Sequence, residues 1–178
     1  MKSIEEQLSN YKSVHLNPYN VITHFVGVPM ILWSIALLFS SVTFDISRET
    51  GSNTFSLLPL VVGLIFTYYL ILHRQLAFVA IVILSPLFYS ASLYSHSMHF
   101  YALVFVVFII GWLFQFLGHM FEKAKPAFVD DINQLFIGPL FLIAEIYFSL
   151  GFDENLAKKV SIGAEKKRKM MSRTFKTN

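Results

Sequence analysis

The chain contains no cysteine, which excludes a disulfide framework and any thiolate metal site. A metal ion would have to be held by imidazole, carboxylate or amide oxygen. Charge is also scarce. Charged residues are 14% of the chain, against about 25% in a soluble domain, while hydrophobic residues are 55%. Nineteen Phe and eight Tyr in 178 residues carry more apolar surface than one soluble core of this size can bury. An all-α integral membrane protein is the expected class. A cleavable signal peptide is not expected, because the first apolar run follows about twenty mixed residues that include Glu5 and Glu6.

The net charge of +3 is unevenly placed, with eight of the fourteen Lys and Arg residues at position 158 or beyond. No interleaved aromatics accompany this run, so it does not read as a nucleic-acid surface. It reads as a basic cytoplasmic tail, 153–178, facing an anionic leaflet and following a membrane-embedded catalytic domain, 1–152.

Five apolar segments can be marked against the roughly 20 residues that a span requires. They are Val21 to Phe44, Phe55 to Leu72, Leu76 to Tyr94, Phe100 to Phe121 and the shorter Leu135 to Leu150. Four full spans place the N-terminus, the Arg74 turn and the Lys123 loop on one side, where positive charge favours the cytoplasm. The fifth segment, broken by Gly138 and Pro139, is expected to be re-entrant or interfacial, which keeps the tail on that side too. The predicted fold is thus a polytopic helical bundle of about four spans plus one half-span. Its membrane would be a bacterial inner membrane or the endoplasmic reticulum.

This topology sorts the six histidines. His15, His24, His73 and His119 share the cytoplasmic face, whereas His96 and His99 lie on the far side. Asn17 followed by Pro18 predicts a helix start, after which Asn20 and His24 share a face. Gln115, His119 and Glu122 form one polar stripe at the end of the fourth span, and such a stripe faces protein or water rather than lipid. Gln134, Gly138, Phe141 and Glu145 make a third stripe, with Asp131 and Gln134 spaced as a capping box. Glu145 lies within an apolar run and needs a partner or a proton. Imidazoles beside a carboxylate, without thiols, suit Fe(II), Zn(II) or Cu(II).

The segment Tyr11-Lys12 to His15-x-Asn-Pro-x-Asn20-x-x-x-His24, then Val28-Pro29, resembles the opening of the membrane-bound 2-hydroxy fatty acid dioxygenase family. A second block runs Gly111-Trp112-x-x-Gln115-Phe116-x-Gly118-His119. It continues through Glu122, Pro126, Asp131, Gln134, Pro139 and Glu145 to Gly151-Phe152. The resemblance covers about 60 residues. It implies Fe(II)-dependent α-oxidation, in which O₂ cleaves a 2-hydroxy fatty acid to the acid one carbon shorter. It also implies His15, His24 and His119 as the iron ligands. Glu122 would orient a ligand imidazole or be a ligand itself. Gln115 and Asn20 would hydrogen-bond the substrate carboxylate, and Glu145 would support the site. A different class, a small membrane transporter or lipid-binding protein with a His/Glu proton relay, is the alternative; the chain shows no inverted repeat in its favour.

Overall fold

The computed structural model describes residues 2–48 and 51–174. Within them lie seven α-helices and one β-hairpin: α1 (Ile4–Lys12), α2 (Pro18–Ser41), β1 (Thr43–Arg48), β2 (Gly51–Ser56), α3 (Leu58–Leu72), α4 (Arg74–Leu93), α5 (Phe100–Glu122), α6 (Gln134–Ser149) and α7 (Glu154–Thr174). A single 3₁₀ turn, Ala127–Val129, lies between α5 and α6.

Local signals explain most boundaries. Asn17 caps α2 by accepting a hydrogen bond from the Tyr19 N–H, with Pro18 in the first turn, as its sequence predicts. α5 stops at Lys123, whose φ of 53° is left-handed. Between α6 and α7 the chain turns through Gly151 at φ 84°. The Asp153 carboxylate then accepts from the Leu156 N–H. The expected capping box at Asp131 is not formed. Asn133 occupies the N-cap of α6 without a side-chain cap, and Asp131 accepts instead from the Asn133 N–H while pairing with Lys2.

The four expected spans are not confirmed. Three helices, α2, α4 and α5, are long and apolar enough to cross a membrane. The expected first span ends at Ser41, and Phe44 lies in β1. Phe55, expected to open the second span, lies in β2 opposite Phe44, where their rings stack. This leaves α3 with 15 residues, about 22 Å at 1.5 Å per residue, short of a hydrocarbon core of about 30 Å. The three-residue turn expected after it shrinks to one extended residue, His73.

Helices α2 and α5 run antiparallel. Asn17 meets Glu122, Gly118 meets Asn20 and Thr23, and Gly27 meets Gly111 and Gln115. α1 contacts α6 through Gln7–Gln134 and Lys12–Glu145, and Lys2 just before α1 pairs with Asp131 just before α6. The far end of α6 meets the α3–α4 corner, where Tyr147 bonds Gln75 and Asp153 approaches His73. α7 buries Leu156, Val160 and Ala164, and Ser9 of α1 donates to the Val160 carbonyl.

Polarity is inverted relative to a soluble fold. Val82, Phe105 and Leu113 are each at least 60% exposed, while His15, Asn20, His24, Gln115, His119 and Glu122 are buried. Helices with apolar outer faces and a polar interior suit a lipid surround. Labelling of single cysteines in this cysteine-free chain checks the arrangement. Met98→Cys, in the α4–α5 loop, and Ser172→Cys, on α7, should react from opposite sides of the membrane. Reaction of both from one side would contradict the joint placement of α7 and the α2 N-terminus at one face.

Candidate metal centre

The site forms where three chain segments converge. His24 is one and a half turns into α2, His119 is in the last turn of α5, and His15 lies in the short link between α1 and α2. All three are buried, and a ligand nitrogen of each lies within 4.8 Å of those of the others. His73, His96 and His99 are not part of this group. His73 instead accepts from the Leu76 N–H at the start of α4.

Backbone carbonyls set the ring orientations. His15 Nδ1 lies 2.6 Å from the Tyr11 carbonyl and His24 Nδ1 lies 2.9 Å from the Asn20 carbonyl. A carbonyl can only accept, so each Nδ1 carries the proton and each Nε2 carries a lone pair. Those two Nε2 atoms face one another at 3.0 Å. Burial, with the neighbouring His24 imidazole adding to it, holds the His15 pKa well below its ordinary value of 6.5. Burial therefore disfavours a charged His15 ring bridging the pair. Two such nitrogens, buried and facing one another, could hold a cation.

The spacing fits one ion. Two imidazoles bound at about 2.0–2.2 Å to one ion have nitrogens roughly 2.8–3.6 Å apart in adjacent positions. His15 and His24 meet that separation as they stand. The His119 ring is 4.9 Å and 5.1 Å from theirs by centroid, and its Nδ1 is buried with no hydrogen-bond partner. One of its ring nitrogens lies within 4.8 Å of those of His15 and His24, so it could join a three-nitrogen set.

The other sequence-predicted residues take distinct places. Glu122 Oε2 accepts from the Asn17 N–H at 2.8 Å and from Asn20 Nδ2 at 3.2 Å, so it joins α5 to the start of α2 rather than entering the histidine group. Asn20 also donates to the Val14 carbonyl, which commits its amide nitrogen and leaves Oδ1 unpartnered. Gln115 Nε2 is buried without a partner, against the Gly27 backbone. Glu145 finds its partner in Lys12 at 2.5 Å, and the Lys12 ammonium lies 5.9 Å from the Phe141 ring. Phe141 in turn touches Tyr11 and His15.

Three contributors were given no role at the site by the sequence reading, although Tyr11 and Gly118 stand in its motifs. The Tyr11 ring lies flat on His15, 4.1 Å away by centroid and 4° from parallel. Its hydroxyl sits over Gly138, where a Cβ would be only 2.9 Å from it. Arg168 ion-pairs with Glu122. Gly118 stood in the second motif, but spacing gave no hint that a Cβ there would strike Thr23, Asn20 and His24 together. Two clefts open on the described residues. One, of about 380 Å³, lies between α3 and α6 and is lined by Val61, Leu64 and Phe136, away from the histidines. The other, of about 370 Å³, lies between Lys123–Lys125 and Arg168 and adjoins the α5 terminus that carries His119.

Gly118→Val should force α2 and α5 apart, at a cost of about 1–3 kcal/mol. Its thermal midpoint should fall, and its metal uptake should fall at least tenfold. Gly63→Val, at a position open on all sides, should change neither. Wild-type metal affinity in Gly118→Val would show that the close helix approach does not shape the histidine group.

The profile of the Mpo1-like family, described as 2-hydroxy-palmitic acid dioxygenase Mpo1-like, matches residues 1–150. The 2-hydroxy-palmitic acid dioxygenase MPO1 of Saccharomyces cerevisiae is 34% identical over 152 residues, covering 84% of this chain and 82% of that protein. No solved structure matches the chain significantly. A match over most of the chain, with the histidines of both motifs inside it, makes this protein a member of the Mpo1-like family.

Proposed function

We propose that the protein is an Fe(II)-dependent dioxygenase of 2-hydroxy fatty acids, embedded in a membrane with its site at the cytoplasmic face. The observation that carries this reading is the pair of buried imidazoles whose Nε2 atoms face one another at 3.0 Å with a third beside them, in a chain of this family. His15, His24 and His119 would hold the ion. A donor set of imidazoles without thiols suits Fe(II), and fewer than six protein ligands leaves positions for substrate and O₂. When bound, the iron would supply Lewis acidity toward the hydroxy acid and electrons toward O₂.

The reaction balances without an external reductant. A 2-hydroxy acid and O₂ give the acid one carbon shorter, CO₂ and water, with O₂ accepting all four electrons. The chain's own residues position and shield. Tyr11 and Asn20, through their carbonyls, fix the tautomers that aim both Nε2 atoms inward. Gln115 Nε2 is a free donor suited to the substrate carboxylate. Asn20 has only an acceptor left, so it suits the 2-hydroxyl rather than the carboxylate. Lys12 and Glu145 pin α1 to α6 and keep Tyr11 and Phe141 against His15. The basic cleft at Lys123 and Arg168 gives an anionic head group a path from the interface. The acyl chain would stay among apolar helix faces.

Anaerobic loading with Fe(II), then addition of a 2-hydroxy fatty acid and O₂, tests this directly. Mass spectrometry should find the acid one carbon shorter, with none from metal-free protein. A protein that holds one iron but leaves the hydroxy acid intact would overturn the reading, and one that binds no metal would favour a proton relay. Among variants, Gln115→Ala should keep its metal yet turn over at least tenfold more slowly, about 1.4 kcal/mol of transition-state stabilisation. Glu145→Gln should lose a similar factor. Full turnover in Glu145→Gln would make the Lys12 pair purely structural.

A further inference from the structure

Helix α7 begins at Glu154, beyond residues 1–150 that the family profile covers. It is nevertheless tied to the histidine site. From α7, Arg168 Nη2 donates to the Glu122 carbonyl at 2.9 Å and lies 3.3 Å from Glu122 Oε1, while Nη1 reaches toward the Ser13 carbonyl at 3.5 Å. The Glu122 side chain is only 3% exposed. Its other oxygen holds the Asn17 N–H and Asn20 Nδ2, and the Asn20 carbonyl fixes the His24 ring.

One guanidinium therefore touches two of the three histidine-bearing segments directly and reaches the third through Glu122. Ser13 is two residues before His15, Glu122 is three residues after His119, and Asn20 leads to His24. Removing the cation would leave a buried carboxylate without its ion-pair partner, and such a group draws in water or swings outward. Either movement would release Asn17 and Asn20, and with them the pose of His24. The remainder of α7 is built to keep Arg168 in place. Val160 and Ala164 are buried against α1, Gly163 packs on Ser9, and Lys167 bonds Asn10.

We propose that α7 is a C-terminal strap whose Arg168 acts as a positioning residue for the histidine site, through Glu122 and Asn20. The proposal rests on reading the three histidines as a metal site, and it adds a residue outside the family-matched region to that site's support.

The test uses the full-length protein in detergent, comparing Arg168→Gln, Arg168→Lys and, as a control, the exposed Lys169→Gln. Co(II), titrated with visible absorption, reports metal affinity and geometry. Carbethoxylation of metal-free protein, mapped by mass spectrometry with exposed His96 and His99 as references, reports histidine exposure independently of metal. Arg168→Gln should weaken Co(II) binding at least tenfold, within the range common for residues that orient metal ligands. It should also change the absorption band and speed modification of His15 and His24 at least fivefold. Arg168→Lys should recover part of each effect, and Lys169→Gln should match wild type. Wild-type Co(II) affinity and wild-type histidine protection in Arg168→Gln would overturn the proposal. If the wild type binds no Co(II), the metal reading fails. The protection data then still decide: faster modification in Arg168→Gln supports the strap, and an unchanged rate sinks it.

Discussion

Helices α2 and α5 can approach closely only because glycines line their seam. A Cβ at Gly27 would strike Gln115 and the Gly111 backbone, one at Gly111 would strike Ile31, and one at Gly118 would strike three polar side chains of α2. In a lipid environment there is little hydrophobic force between helices, so small residues that admit backbone contact provide the association. The two helices run in opposite directions, which sets the first turns of one beside the last turns of the other. His24 and His119 therefore share a level, and Asn17 can reach Glu122. The geometry of the site depends on that seam.

The polar interior follows from what such a seam encloses. Buried polar groups are costly unless paired, and most here are paired with backbone carbonyls or with one another. The exceptions among the described residues gather mainly near the histidines: Asn20 Oδ1, Gln115 Nε2 and His119 Nδ1. Opposed lone pairs on His15 and His24 add to the strain. Such conflicts persist where function requires them, and a bound cation with a polar ligand would relieve them together. Tyr11 and Phe141 pack against the His15 ring from α1 and α6.

Much of this arrangement was legible in the sequence, for reasons that are local. Asn17 and Pro18 announce a helix start by chemistry that needs no tertiary context. The 20–24 and 115–119–122 spacings mark single helix faces. His15 was not readable by periodicity, because it sits in a link between helices; topology placed it on the same face as His24 and His119, and the family resemblance made it a ligand. The β-hairpin was missed because a long hydropathy window averages Phe44 and Phe55 into their apolar neighbours, although Phe alternates with Thr, Asp and Ser there. The partner of Glu145 lies 133 residues away in sequence, beyond any local pattern. Arg168 was hidden within a run of like charges, where the bland reading of a leaflet anchor fits each residue equally well.

X-ray absorption at the iron edge of Fe(II)-loaded protein measures the donor set without reference to turnover. About three imidazole nitrogens near 2.0–2.2 Å, with no sulfur, are expected for the wild type, and the imidazole count should fall by one in whatever iron His119→Ala retains. A wild-type spectrum with one imidazole or none, or an unaltered spectrum for His119→Ala, would contradict a single ion shared by His15, His24 and His119.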